Sequence, residues 1–277
     1  MAQRDEIPHL IQLLDDESEL VRDQVLRELL SFGPDLDQLL RDLEEPLTLA
    51  QRNLITHLVT GHLENKARRD AWRVWPALST RRKQLERAFD LLAQFQYGWT
   101  PPVHLSELLD NLAKEFKTSG RSRDPVALNR FLFASKRFRG CSEDYYDPRN
   151  SNLVYVLQEG KGLPISLVCI FMLVGERLDI RVEGCGVPGH YLGRAKVSGS
   201  DAYFDCYSDG RMLTDRDVEK IRRRLSPNLT HLLTEEPTAQ DIIRRVLRNL
   251  INAYEIEDEH AKSALMAELL DEVRPSD

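Results

Sequence analysis

The sequence predicts an α+β protein, mostly helical, in which one buried helix lies against a small antiparallel sheet with helical blocks on either side. Three observations lead there. Residues 163–174 form a twelve-residue apolar run, and a helix apolar all round is a buried one. Three short β-prone runs follow, at 181–186, 191–197 and 202–207, with Gly, Pro, Ser and Asp between them; these read as antiparallel strands beside that helix. Residues 1–75 and 239–277 carry apolar positions at helical spacing.

The first block, residues 1–75, is helical and internally repetitive. Pro8 suits a first helical position, and Leu10, Ile11 and Leu14 mark one apolar face. A polar turn at 15–18 leads to a second helix through Val21, Val25, Leu26, Leu29 and Leu30, stopped by Gly33-Pro34. The pattern then returns. Leu10, Ile11 and Leu14 recur as Leu39, Leu40 and Leu43, and Leu26, Leu30 and Gly33 as Leu54, Leu58 and Gly61. Two such helix pairs are fewer than the roughly three that stacked arrays need, so this block is expected to lean on the next one through Trp72 and Trp75.

The middle block, residues 79–235, opens with a helical stripe of Leu85, Ala88, Phe89, Leu92 and Phe95 before a break at Gly98 and Pro101-Pro102. Residues 105–116, 125–133 and 152–157 are further helix candidates, and Gly160-Lys-Gly162 is a turn ahead of the buried run. The third block, 239–277, is a pair of helices, 241–255 and 261–273.

Composition narrows the function classes. The chain has 277 residues, 38 Lys plus Arg against 45 Asp plus Glu, and a net charge of −7. That balance argues against a general nucleic-acid or anionic-membrane binder. The twelve-residue apolar run falls well short of the ~20 residues that span a bilayer. No apolar stretch follows Arg4, so no export signal is expected. Cys141, Cys169, Cys185 and Cys206 are dispersed without a CxxC pair, as in a reducing cytosol. A soluble cytoplasmic protein is the expectation. Cys185, His190 and Cys206 lack paired-ligand spacing, so no metal is expected, and no nucleotide or cofactor motif is present.

The motifs Asp147-Pro-Arg-Asn150-Ser151, Gly162-Leu-Pro164-Ile-Ser166-Leu, Pro188-Gly-His190 and Phe204-Asp205, set in a match over residues 81–277, resemble the SirB-type branch of the transglutaminase-like superfamily. The run IPHLIQLLDDESELVRDQVLRELLSFG resembles a HEAT repeat, and RVLRNLINAYEIEDEHAKSALMAELLDEV resembles a tetratricopeptide-type hairpin. The superfamily resemblance implies a transglutaminase/papain-like core. In catalytic members it implies acyl transfer or amide hydrolysis: a Cys at the start of the buried helix attacks, a His on one strand takes its proton, and an Asp on the next strand orients the His. The helix amino terminus favours the thiolate, and the carboxylate fixes the imidazole tautomer.

On that pattern His190 and Asp205 are the candidate base and orienting acid. A loop over residues 196–199 would put them directly opposite one another, whereas a loop over 198–201 would set them four positions apart. The nucleophile position reads Pro164, which has no attacking atom and suits a helix start. Ser166 lies two positions on, about 200° around the helix, and Cys169 lies deeper among apolar residues, where desolvation keeps a thiol protonated. Lys161 and Arg194 read as solvated charges that could bind an anion near His190, and Arg222-Arg-Arg224 as a water-exposed helix face. Two functions follow as expectations. One is a non-catalytic interaction or scaffold protein with a protein partner; the other is a divergent acyl-transfer or amide-hydrolysing enzyme using Ser166, or Cys169, with His190 and Asp205.

Overall fold

The computed structural model describes residues 6–14, 16–32, 36–41, 43, 47–97 and 103–274. The chain divides into two compact units, Met1–Asp70 and Ala71–Asp277.

The first unit contains α1 (Ile7–Gln12), α2 (Glu19–Ser31), α3 (Leu36–Arg41) and most of α4 (Leu49–Val74). Pro8 stands in the first turn of α1, where its missing N–H costs nothing. Ile7, Ile11, Leu14, Val25, Leu29, Leu36 and Ile55 form its core. The helix stop at Gly33-Pro34 and the break at Gly98 and Pro101-Pro102 lie outside the described residues. Gly61, matched to Gly33 in the sequence repeat, sits inside α4. No proline follows it, and the helix-forming stretch from His62 to Trp72 carries the helix onward, so the second copy departs from the first.

The second unit is built around α9 (Pro164–Arg177), the run foreseen as buried; Ile165 through Gly175 are all buried. Around it stand α5 (Arg81–Tyr97), α6 (Leu105–Thr118), α7 (Pro125–Asn129, continued by a π-helical turn over Arg130–Ala134) and α8 (Leu153–Glu159). Asn152 caps α8 by accepting the Val154 and Tyr155 N–H groups, which satisfies donors the helix itself leaves free. A four-stranded antiparallel sheet covers one side of α9. Its strands β3 (Glu183–Cys185), β4 (Leu192–Val197), β5 (Ser200–Asp205) and β6 (Arg211–Met212) lie in chain order. A separate two-residue parallel pair joins β1 (Arg139–Gly140) to β2 (Lys161–Gly162) just ahead of α9.

The far face of the sheet carries α10 (Asp215–Arg224). This helix opens with a capping box between Thr214 and Asp217 and closes a small core of Cys185, Val187, Leu192, Tyr203 and Leu233 through Val218 and Ile221. The terminal pair α11 (Ala239–Ile256) and α12 (His260–Glu272) places Ile242, Val246, Leu250, Met266 and Leu269 in the same core as α9. Trp72 and Trp75 belong to this second unit as well: their rings are 5.7 Å apart, and Trp72 Nε1–H donates to the Leu269 carbonyl at 3.1 Å.

Candidate functional site

The start of α9 is where a transglutaminase-like nucleophile would stand. Leu163 is extended, as a residue before proline must be, and Pro164 occupies the first turn. Ser166 is wholly buried, and its hydroxyl donates to the Asn150 carbonyl at 2.8 Å. The Leu163 N–H reaches the same carbonyl at 3.3 Å. Asn150 lies in the 3-10 turn Pro148–Ser151, whose preceding Asp147 accepts the Arg149 N–H. The Asp147–Ser151 motif is thus the brace that fixes the start of the buried helix, and the Ser166 hydroxyl is part of that brace.

The thiols are equally withdrawn. All four are free and buried. Burial pushes Cys169 up to about 12, Cys141 and Cys185 each up to about 11, and Cys206 well above the ordinary thiol range. Near neutral pH all four are thiols, poor nucleophiles beside a thiolate.

His190 is positioned by a β-turn. Pro188 and Gly189 occupy its centre, Gly189 has φ +76°, and the His190 N–H closes onto the Val187 carbonyl at 3.0 Å. Proline followed by glycine is what a type II turn asks for. The His190 carbonyl accepts from Arg245 Nη2 at 3.1 Å, and its imidazole is exposed. Asp205 ends β5 and accepts the Ser208 N–H through Oδ1 at 3.1 Å.

The geometry of this pair differs from both loops weighed in the sequence. The hairpin turns on Ser198 and Gly199 alone, with φ +51° and +85°, and Val197 pairs with Ser200. Two-residue turns with positive φ at both centres match the strand twist. The register that pairs Gly193 with Phe204 sets Asp205 across from Leu192, so His190 is its diagonal neighbour. Among the described residues the imidazole and this carboxylate share no hydrogen bond. They do line one cavity of about 200 Å³, together with Leu192, Arg211, Asp217 and Lys220. Ser166 and Cys169 are not among its lining residues.

Arg194 corrects another expectation. It is 6% exposed rather than solvated, and it holds Glu183 through Nε at 3.1 Å and the Leu233 carbonyl through Nη1 at 3.1 Å. Lys161 is exposed in β2, on the rim of a different cavity that includes Asp147 and Arg149. A larger cavity, about 880 Å³, is lined by Arg81, Arg181, Glu176 and Glu236 among others; Arg81 pairs with Glu176 and Glu236, and Arg181 with Glu236. No group of three or more His, Cys, Asp or Glu among the described residues is placed to hold a metal ion, and no helix among them is long and apolar enough to cross a membrane.

Sequence reasoning missed Arg211 and Lys220 and read Arg224 only as part of a water-exposed helix face; all three line the His190 cavity. The available signal was the four-residue spacing of Lys220 and Arg224, which puts both on one side of a helix.

The chain is 34% identical over 161 residues to a UPF0162 protein of Xylella fastidiosa, covering 54% of this chain and 56% of that one. A UPF0162 protein of Pseudomonas aeruginosa is 29% identical over 163 residues, covering 54% and 57%. Human F-box only protein 21 is 25% identical over 134 residues, covering 46% of this chain and 21% of that one. The chain therefore spans little more than half the length of these UPF0162 relatives and a fifth of the F-box protein. No solved structure is a significant match. The family model described as the transglutaminase-like superfamily matches residues 103–248, which takes in α9, the whole sheet, His190 and Asp205. The chain belongs to the transglutaminase-like superfamily.

Proposed function

We propose that this chain is a non-catalytic member of the superfamily, of the SirB type, acting in the cytoplasm as an interaction or scaffold module for a protein partner. Its amino-terminal block serves as HEAT-like repeats and its last two helices as a tetratricopeptide-like hairpin. The observation that carries this reading is the start of α9. Pro164 occupies the nucleophile position, the Ser166 hydroxyl is committed to the Asn150 carbonyl, and Cys169 is buried with its thiol pushed up to about 12. A base needs an attacking atom within hydrogen-bond reach, and neither Ser166 nor Cys169 lines the cavity that His190 and Asp205 share.

A second reading draws on that same sharing: a divergent acyl-transfer or amide-hydrolysing enzyme using Ser166, or Cys169, with His190 and Asp205. Turnover separates the two. Purified full-length protein is incubated with activated esters and with glutamine-containing peptides, alongside His190→Ala. The expected result is the same background rate for both proteins. Turnover in the wild type that disappears in His190→Ala would establish the enzyme reading instead.

A further inference from the structure

The cavity at His190 carries a charge pattern that its position in the fold does not require. Its walls hold Arg211, Lys220, Arg224 and His190 against two carboxylates, Asp205 and Asp217. Both carboxylates are already engaged by the protein's own backbone. Asp205 accepts the Ser208 N–H; Asp217 accepts the Thr214 N–H and hydroxyl and lies 3.4 Å from Arg211 Nη1. The cations in the second half of α10 fall into two sets. Arg222 and Arg223 are each tied to Glu219, at 3.3 and 3.1 Å, and they do not line the cavity. Lys220 and Arg224, one helical turn apart, do line it, and neither forms a hydrogen bond or ion pair among the described residues. In a chain of net charge −7, this concavity holds Arg211, Lys220 and Arg224 against Asp205 and Asp217, an excess of positive charge even with Arg211 paired to Asp217.

The floor is different in kind. Leu192 is buried, and Leu213 and Ile221 are half-buried beneath the basic groups. An apolar floor under a cationic rim suits a carboxylate carried on a short aliphatic stem. The volume, about 200 Å³, is below the roughly 300 Å³ at which small-molecule pockets begin and is of side-chain size. We propose that this cavity is a docking subsite for an acidic side chain, glutamate above all, presented by an acidic segment of a protein partner. The inference rests on the interaction-module reading and names the chemistry of the partner. The imidazole and acid of the superfamily pattern then serve as walls of a recognition pocket, with His190 as a further donor to the bound carboxylate.

The test uses the full chain and a fluorescein-labelled, amidated peptide of alternating glutamate and serine, with its glutamine counterpart as control. Anisotropy gives the affinity, and the imidazole carbon–proton NMR signals of His190 report occupancy of the cavity. Lys220→Glu/Arg224→Glu is expected to weaken binding by about tenfold or more, while Arg222→Glu/Arg223→Glu weakens it by less than about threefold, since rim charges outside the contact count for little. The glutamate peptide moves the His190 signals and the glutamine peptide does not. These α10 side chains are exposed, so unchanged circular dichroism melts show that the variants fold. Equal weakening by both double variants would overturn the proposal in favour of diffuse attraction to α10, as would unmoved His190 signals or displacement of the peptide by inorganic phosphate at equimolar glutamate-residue concentration. Mass spectrometry of the recovered peptide keeps the two claims apart: an intact peptide that fails to bind ends the docking proposal alone, while a cleaved or acyl-transferred peptide ends the non-catalytic reading.

Discussion

Phe171→Ala lowers the free energy of unfolding by about 3–5 kcal/mol, the range for removing a large aromatic from a core that cannot collapse into the space. Phe171 is wholly buried on α9. Its ring meets Phe133 edge-on at 5.9 Å on the helical side and Phe204 edge-on at 5.6 Å on the sheet side, arrangements that add to simple burial. The sheet comes this close because β4 carries Gly193 at the contact: a Cβ there would stand 3.1 Å from Phe171 Cδ1. One ring therefore couples α7 and its π-turn, α9 and the sheet, and truncating it leaves a hole that three elements border. Urea unfolding with an unchanged slope is the measurement. A loss below about 1.5 kcal/mol would mean that the sheet closes onto the helix without the ring, which the packing around Gly193 does not allow.

Glu183→Ala is expected to cost about as much, 3–5 kcal/mol (an approximate range), by leaving Arg194 buried without its counter-charge. Arg194 Nε is 3.1 Å from Glu183, and the two side chains are 7% and 15% exposed. The exposed Arg181, which also pairs with Glu183, contributes little. Because the cost comes from stranding a charge, Glu183→Ala/Arg194→Met recovers a large part of it, as replacement of buried pairs by apolar residues does. The same pair sets a pH dependence. Burial works to raise the Glu183 carboxyl, but Arg194 and then Arg181 outweigh it, and the net position lies below the ordinary value of 4.5. A carboxyl lowered on folding contributes stability that is complete above its unfolded value and is lost as pH falls through its folded value. Wild-type stability therefore declines on acidification below about pH 4.5, and Glu183→Ala lacks that part of the decline. Parallel acid profiles for the two proteins would contradict the pairing.

The elements that could be read from the sequence are those in which pattern and burial agree. Residues 163–174 are apolar on every side, so only a buried helix satisfies them, and α9 is where it was expected. β3 and β4 fell within their β-prone runs, where Pro188-Gly189 and Ser198-Gly199 mark the ends, whereas β5 starts two residues ahead of its run and β6 was not foreseen. The register did not follow, since a polar stretch such as Lys196–Asp201 offers several turns and only the positive φ of Ser198 and Gly199 selects the shortest. Moving the centre of that turn by one residue shifts the register by two and changes the relation of His190 to Asp205 from direct to diagonal. Arg194 was misread for a related reason: a lone arginine in a strand looks solvated until the sheet brings Glu183 across from it. The structural part played by Ser166 was not legible, because its partner, the Asn150 carbonyl, is sixteen residues away and belongs to a turn whose purpose only the folded chain reveals. The basic cavity was hidden because α10 brings Lys220 and Arg224 over the His190 end of the sheet only through tertiary packing.

The reading of this chain as a silent relative of acyl-transfer enzymes depends on the start of α9 holding no reactive atom. Intact-mass analysis after treatment of native protein at pH 8 with iodoacetamide and, separately, with a fluorophosphonate tests that most directly. The account predicts no adduct on Ser166 or Cys169 in the folded state and alkylation of all four cysteines once the protein is unfolded. A stoichiometric adduct on either residue of the native chain, lost in His190→Ala, would contradict it.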